Sequence, residues 1–272
     1  MKSGCKIKNQ KEAAPVTCLA EALGLKKREL ISLVGAGGKT TLMYRLAKEL
    51  SLVKKKVVTT TTTKILEPNP EETNFLFIDS DEMRIKDFVW RHVHQFGHLT
   101  VAREKLGSAK LKGISADLVD DLWTLNEIDF ILVEADGSAG RPIKAPRPWE
   151  PVIPAETTLV IGILGIDGLG KKLDKENAFY PEGISKITGL SEGEELSSEG
   201  LALLITDSEG IFKGAPCSSR VIAFLNKVDI LSGVSKAKSI SEKIFEEKQL
   251  QIERVVLGQL WNEPPVAEVL FP

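Results

Sequence analysis

Residues 35–41 read Gly-Ala-Gly-Gly-Lys-Thr-Thr, and these types in this order fit one kind of chemistry. Glycines let successive backbone N–H groups converge on anionic oxygens. A lysine adds a mobile positive charge, and a hydroxyl directly after it can ligate Mg2+. Gly35, Ala36, Gly37, Gly38, Lys39, Thr40 and Thr41 are therefore candidate contacts for the phosphates of a nucleotide, with Lys39 catalytic and Thr40 a metal ligand. In the G-x-x-x-x-G-K-[ST] spacing the first glycine falls at position 33, which is Leu33, so the loop is a compact variant.

A phosphate-bound metal needs acids at a neighbouring strand end. "FILVEADG" supplies them: Glu134 and Asp136 follow four apolar residues, as Mg2+ ligands direct or through water, and Gly137 can set its N–H against the terminal phosphate. Arg141 and Lys144 come next. They are candidate cations for phosphoryl charge, for an anionic substrate, or for tying down the loop. Asn226-Lys227-Val228-Asp229 fits N-K-x-D, a guanine-reading pattern. An aspartate can accept hydrogen bonds from guanine N1–H and its 2-amino group, a donor pair adenine lacks, while the lysine stem lies over the base.

Other stretches carry less. Thr59–Thr63 could offer hydroxyls to metal or phosphate, Thr61 and Thr62 among them, or simply form a β-branched strand. "GIDGLGKK", residues 165–172, repeats G-x-x-x-x-G-K, but Lys172 replaces the hydroxyl and no amphipathic pattern follows, so it reads as a loop after a strand. His92, His94 and His98 match no common metal spacing and read as surface residues.

These residues need strands that end together and helices that begin there. "ELISLVG", "KKVVTTTTT", "NFLFID", "HLTVARE", "DFILVEADG", "TTLVIGILG", "RVIAFLNKVD" and, last, "RVVLGQL" read as strands. "TTLMYRLAKELSL" and "SADLVDDLWTLNE" read as helices, the second capped by Ser115. A short helix is expected in "VTCLAEALGL", and the five prolines of residues 142–154 mark an extended loop. The alternation predicts an α/β protein: a mostly parallel sheet flanked by helices, a P-loop NTPase-like three-layer fold. Residues 1–14 read as a flexible tail and 15–272 as one α/β domain.

The chain has 272 residues, 42% hydrophobic and 27% charged, with a formal net charge of −2. That balance gives no global attraction to nucleic acid or to an anionic membrane. No apolar run is long enough to span a bilayer, and the basic N-terminus lacks the apolar core of a signal peptide. Three scattered cysteines, Cys5, Cys18 and Cys217, suit a reducing compartment, and the cytoplasm is the expected location.

The glycine loop resembles the G-x-x-G-K-T-T loop of Mur-type ligases and that of dimerising P-loop GTPases and ATPases. Taken in order, "VGAGGKTTLMYRLAKEL", "VVTTTTTKI", "LVEADGSAGRPIKAP", "ITGL", "GIFKGAP" and "FLNKVD" resemble the YqeC family from about residue 16 to the C-terminus. "VEADGSAGRPIKAP" is the most specific of these, because ordinary P-loop proteins lack it. The resemblance implies an accessory role in maturing selenium-dependent molybdenum hydroxylases, with such an enzyme as client. Tyr180 stands where many relatives would carry a histidine, so no catalytic role is carried to that position.

The expected cofactors are GTP or ATP with Mg2+. Three functions follow: a nucleoside triphosphatase with GTP favoured, an ATP-dependent kinase or ligase whose acceptor meets Arg141 and Lys144, or a nucleotide-switched scaffold without useful turnover. Related P-loop proteins often pair, which makes a homodimer an open expectation.

Overall fold

The computed structural model describes residues 18–107, 109–247 and 250–272. The expected tail, residues 1–14, lies outside them. In chain order the elements are α1 (Leu19–Ala22), β1 (Glu29–Gly35), α2 (Lys39–Leu52), β2 (Val57–Thr61), β3 (Lys64–Leu66), β4 (Leu76–Ile78) and α3 (Glu82–Phe96). There follow β5 (His98–Ala102), β6 (Glu104–Leu106), β7 (Lys110–Lys112), α4 (Ala116–Trp123), β8 (Phe130–Glu134), β9 (Ile143–Lys144), β10 (Leu159–Gly165) and β11 (Ala178–Phe179). The rest are α5 (Pro181–Thr188), α6 (Ser198–Thr206), β12 (Arg220–Asn226), α7 (Gly233–Glu246), β13 (Ile252–Gly258) and β14 (Val266–Leu270).

A nine-stranded sheet runs β14-β13-β12-β10-β1-β8-β2-β5-β4, parallel except for β14. β1, β8 and β10 are buried at every position, which is why they read as continuous apolar runs rather than alternating ones. Side chains still alternate between two faces. Ile31, Leu33, Ile161 and Ile163 join a core beneath α1 and α2, where Leu42, Met43 and Leu46 meet them. On the other face Leu30, Val58 and Ile131 pack under α3 and α4, while Val34, Val160 and Leu164 pack under α5, α6 and α7. Helix–sheet–helix layering is the expected three-layer α/β fold.

Local signals set the boundaries. Ser115 caps α4 by accepting from Leu118 N at 3.1 Å, and Asp81 caps α3 through Met83 N. The five-proline segment is an extended strap: Val152 N donates to Ala135 O, and β9 within it pairs with β11. "GIDGLGKK" follows β10 as a short 3-10 turn, Ile166–Gly168, and nucleates no long helix.

Two expectations are corrected and one element is added. β13 is not the last strand, because β14 returns antiparallel beside it. A small antiparallel sheet, β3-β7-β6, was not legible because its strands are only three residues each. His98 is not a surface residue. It opens β5 at 2% exposure, with Nε2 3.0 Å from the Thr59 hydroxyl, and burial pulls it down to about 4.

Among the described residues no helix is long and apolar enough to cross a membrane.

Candidate functional site

β1 ends by delivering Gly35 into a turn that only glycine accommodates. Its φ is +93°, and a Cβ there would sit 2.2 Å from Ile163 O. Ala36 N donates to that same carbonyl at 2.8 Å, so β10 fixes the start of the loop. Gly38 is as constrained, with φ +143° and a Cβ position 2.3 Å from Asn226 Nδ2. Leu33, where the longer motif would have its first glycine, lies inside β1 in the core.

Gly38 precedes α2 and offers no side-chain cap, so the first-turn N–H groups of α2 keep their partial positive charge. Lys39 is buried, and its Nζ donates to Gly35 O at 2.6 Å. The same ammonium lies 3.2 Å from Asp136 and 3.7 Å from Glu134. Burial pulls Lys39 down, but Asp136 and Glu134 outweigh it, and the group is held above its ordinary range. Thr40 Oγ1 donates to Glu134 Oε2 at 2.6 Å. Burial raises the Glu134 carboxyl against the pull of Lys39 and Thr40.

β8 lies beside β1 and pairs Leu33 with Glu134, which brings the acids against the loop. Asp136 Oδ2 accepts from Gly35 N at 3.1 Å and is ion-paired with Lys144 at 2.9 Å. Asp136 Oδ1 is buried, accepts no hydrogen bond and faces Lys39 Nζ at 3.2 Å. Lys144 is wholly buried and spends its donors on Asp136, on Glu150 at 2.9 Å and on Gly137 O at 2.7 Å.

A cavity of about 1190 Å3 opens above this cluster. Gly37, Gly38, Lys39, Thr40, Thr41, Glu134, Gly137, Arg141, Asn226 and Lys227 line it. Gly35, Ala36, Asp136 and Lys144 sit beneath this surface. Arg141 Nε donates to Lys175 O. Thr62 and Thr63 reach the wall, whereas Thr59, Thr60 and Thr61 are buried in β2, where the Thr61 hydroxyl donates to Glu134 O at 2.6 Å.

The N-K-V-D stretch divides into distinct surroundings. Asn226 Nδ2 donates to Gly37 O at 2.8 Å, and its Oδ1 accepts from Leu260 N at 3.3 Å. Lys227, at φ +70°, pairs with Asp167 at 2.9 Å. Asp229 is exposed and does not line the cavity. Tyr180 packs against the core under α5 and stays away from the cavity wall.

A model of the YqeC protein family matches residues 31–182, more than half of the chain. The protein named "Uncharacterized protein YqeC" from Escherichia coli (strain K12) is 33% identical over 246 residues, covering 90% of this chain and 93% of that one. The chain belongs to the YqeC family. The matched span holds the glycine loop, both acids, Arg141 and Lys144, and ends before Asn226. Among solved structures, FtsY from Mycoplasma mycoides is similar at 14% identity and TM-score 0.37, over 92% of this chain and 66% of that one. FlhF complexed with GTP/Mg(2+) is similar at 14% identity and TM-score 0.34, over 90% and 70%.

Several residues at the site escaped the sequence reading. Lys64, Arg103, Lys110 and Lys112 line the cavity from β3, β7 and their flank. Their signal was a single apolar residue between polar ones, as in "KLK", too short to mark a strand. Glu150 and Arg147 hid among prolines, and the exposed Trp149 and Trp261 at the rim carried no pattern at all.

Proposed function

We propose that this YqeC-family protein is a Mg2+-dependent nucleoside triphosphatase, with GTP favoured over ATP, acting as an accessory factor in maturation of selenium-dependent molybdenum hydroxylases. The observation that carries the nucleotide reading is the meeting of Lys39 and Thr40, on the first turn of α2, with Glu134 and Asp136 at the end of β8. The donor set fits Mg2+. The Thr40 hydroxyl and two carboxylates are hard oxygen ligands, and Asp136 Oδ1, 3.2 Å from the Lys39 ammonium, forms no hydrogen bond.

Mg2+, when bound, supplies charge neutralisation on the β- and γ-phosphate oxygens. The rest is work for the chain. Lys39 stays charged although buried, because two acids hold it. An arriving triphosphate offers the same ammonium richer oxygens, while the loop amides and the α2 dipole receive the phosphate chain. Asn226 keeps the loop in shape through Gly37 O, and the GTP preference rests on the match of Asn226-Lys227-Val228-Asp229 to N-K-x-D, with Asp229 outside the cavity wall. The selenium role is supported by the sequence resemblance to the family.

A second reading, phosphoryl transfer to a small acceptor, is favoured by the basic far wall of the cavity. Titration calorimetry of GTP and ATP with Mg2+, followed by phosphate release with and without a client hydroxylase, tests the proposal. GTP preference with release of free phosphate supports it. Absence of binding to either nucleotide sinks it. Tight binding with negligible release moves the protein to a nucleotide switch, and label on a small molecule makes it a kinase or ligase.

A further inference from the structure

The strand order places the candidate base reader and the small β3-β7-β6 sheet on opposite sides of the glycine loop. β12, which ends in Asn226, lies two strands from β1 on one side. β2, which leads into β3, lies two strands away on the other. At ~4.8 Å per strand, each is about 10 Å from the loop. A nucleotide lying from the loop toward Asn226 therefore runs away from the small sheet, and the acids of β8 stand between its terminal phosphate and that sheet. The cavity nevertheless continues to it.

The small sheet carries an unfavourable arrangement. Lys64 on β3 lies directly opposite Lys112 on β7, and Lys110 is two residues along on the same face. Like charges directly opposed across strands are destabilising. Lys112 reaches only Glu104, at 3.9 Å. Lys64, Lys110 and the adjacent Arg103 form no ion pair among the described residues, and all four are exposed and line the cavity. Arg141 and Arg147 line it from the proline strap. The acids on the wall, Glu134 and Glu150, are already engaged by Lys39 and Lys144. So a chain of net charge −2 gathers unneutralised positive charge on one concave wall, where such a cleft focuses field on an incoming anion.

We propose that this wall binds a second, multiply anionic small molecule of the phosphate-bearing class, held by Lys64, Arg103, Lys110 and Lys112 with Arg141 and Arg147, across the β8 acids from the nucleotide's terminal phosphate. The placement relative to the nucleotide rests on the function proposed above, whereas the anion site itself rests on the charges. At about 1190 Å3 the cavity exceeds the usual range for one drug-sized ligand, roughly 300–1,000 Å3.

The test uses inorganic pyrophosphate as probe. The full chain is saturated with a non-hydrolysable GTP analogue and excess Mg2+, then titrated with pyrophosphate in a calorimeter. Binding is expected to wild type. It should weaken roughly tenfold or more in the triple variant Lys64→Gln, Lys110→Gln, Lys112→Gln, as loss of charge-assisted contacts predicts. Lys105→Gln, whose ammonium pairs with Glu67 at 2.7 Å, should leave it unchanged. Affinity for the GTP analogue should hold in all three proteins. A thermal melt of the triple variant should be no lower than wild type, since repulsion has been removed. If the nucleotide-loaded wild type takes no pyrophosphate, or the triple variant binds it equally well, the proposal is overturned. If the analogue itself never binds, the nucleotide reading fails instead. The same comparison is then made without nucleotide in a Lys39→Ala background, where pyrophosphate binding that depends on the three lysines upholds the anion site, and binding that ignores them overturns it.

Discussion

Lys144 Nζ lies 2.9 Å from the Asp136 carboxylate, and both side chains are almost wholly buried. The lysine thus holds the acid that in turn receives Gly35 N and faces Lys39. Desolvating such charges is costly, and the arrangement persists because each is paired: Lys144 also binds Glu150 and Gly137 O. In the proposed function Lys144 then acts through Asp136 and Glu150, the carboxylates it holds beneath the glycine loop.

Lys144→Met should cost about 3–5 kcal/mol of stability, because two buried carboxylates lose their common partner. Urea unfolding of the single variant, and of Lys144→Met combined with Glu150→Gln, checks this. The double variant should recover part of the loss. A single variant as stable as wild type would show that the cluster is not energetically coupled.

Lys39→Met should act in two ways. It removes the cation that Asp136 and Glu134 hold charged, and it removes the candidate phosphate contact. Affinity for GTP and for ATP should both fall at least tenfold, about 1.4 kcal/mol or more. Equal nucleotide binding by wild type and variant would remove Lys39 from the phosphate site.

Much of this was legible because it is written locally. A buried strand, a run of glycines and an amphipathic helix mark the loop wherever they occur, and "FILVE" reads as a buried strand with an acid at its end. What could not be read depends on contacts distant in sequence. Asn226 meets Gly37 across 189 positions, and Arg220 meets Glu29 across 191. Lys64 opposite Lys112 is likewise a matter of register. His98, between Gly97 and Leu99, looks like a loop residue after α3 until β5 is placed beside β2.

Asn226 and Asp229 should separate cleanly although they share one motif. Asn226→Ala leaves Gly37 O and Leu260 N without their buried partner, so stability should fall by about 1–3 kcal/mol. GTP and ATP binding should weaken together. Asp229→Asn, at an exposed position, should leave the melting temperature unchanged and reduce only the preference for GTP. Calorimetry on both variants decides the matter. If Asp229→Asn binds GTP and ATP in the wild-type ratio, the motif is a loop brace and not a base reader.

His98 gives the fold a pH dependence. In the folded chain burial lowers it from 6.5 to about 4, so it stays neutral where the unfolded chain takes up a proton. The unfolded state therefore binds more protons between these two values. Stability contributed by neutral His98 is fully present above about pH 6.5 and is lost as pH falls toward 4, by roughly 3 kcal/mol across the window. His98→Gln can keep a hydrogen bond near Thr59 and has no such titration. Chemical unfolding at intervals from pH 4 to 7 should show wild type losing stability faster than the variant as acidity rises. Parallel curves for the two proteins would mean that other groups, and not this buried imidazole, set the acid sensitivity of the sheet.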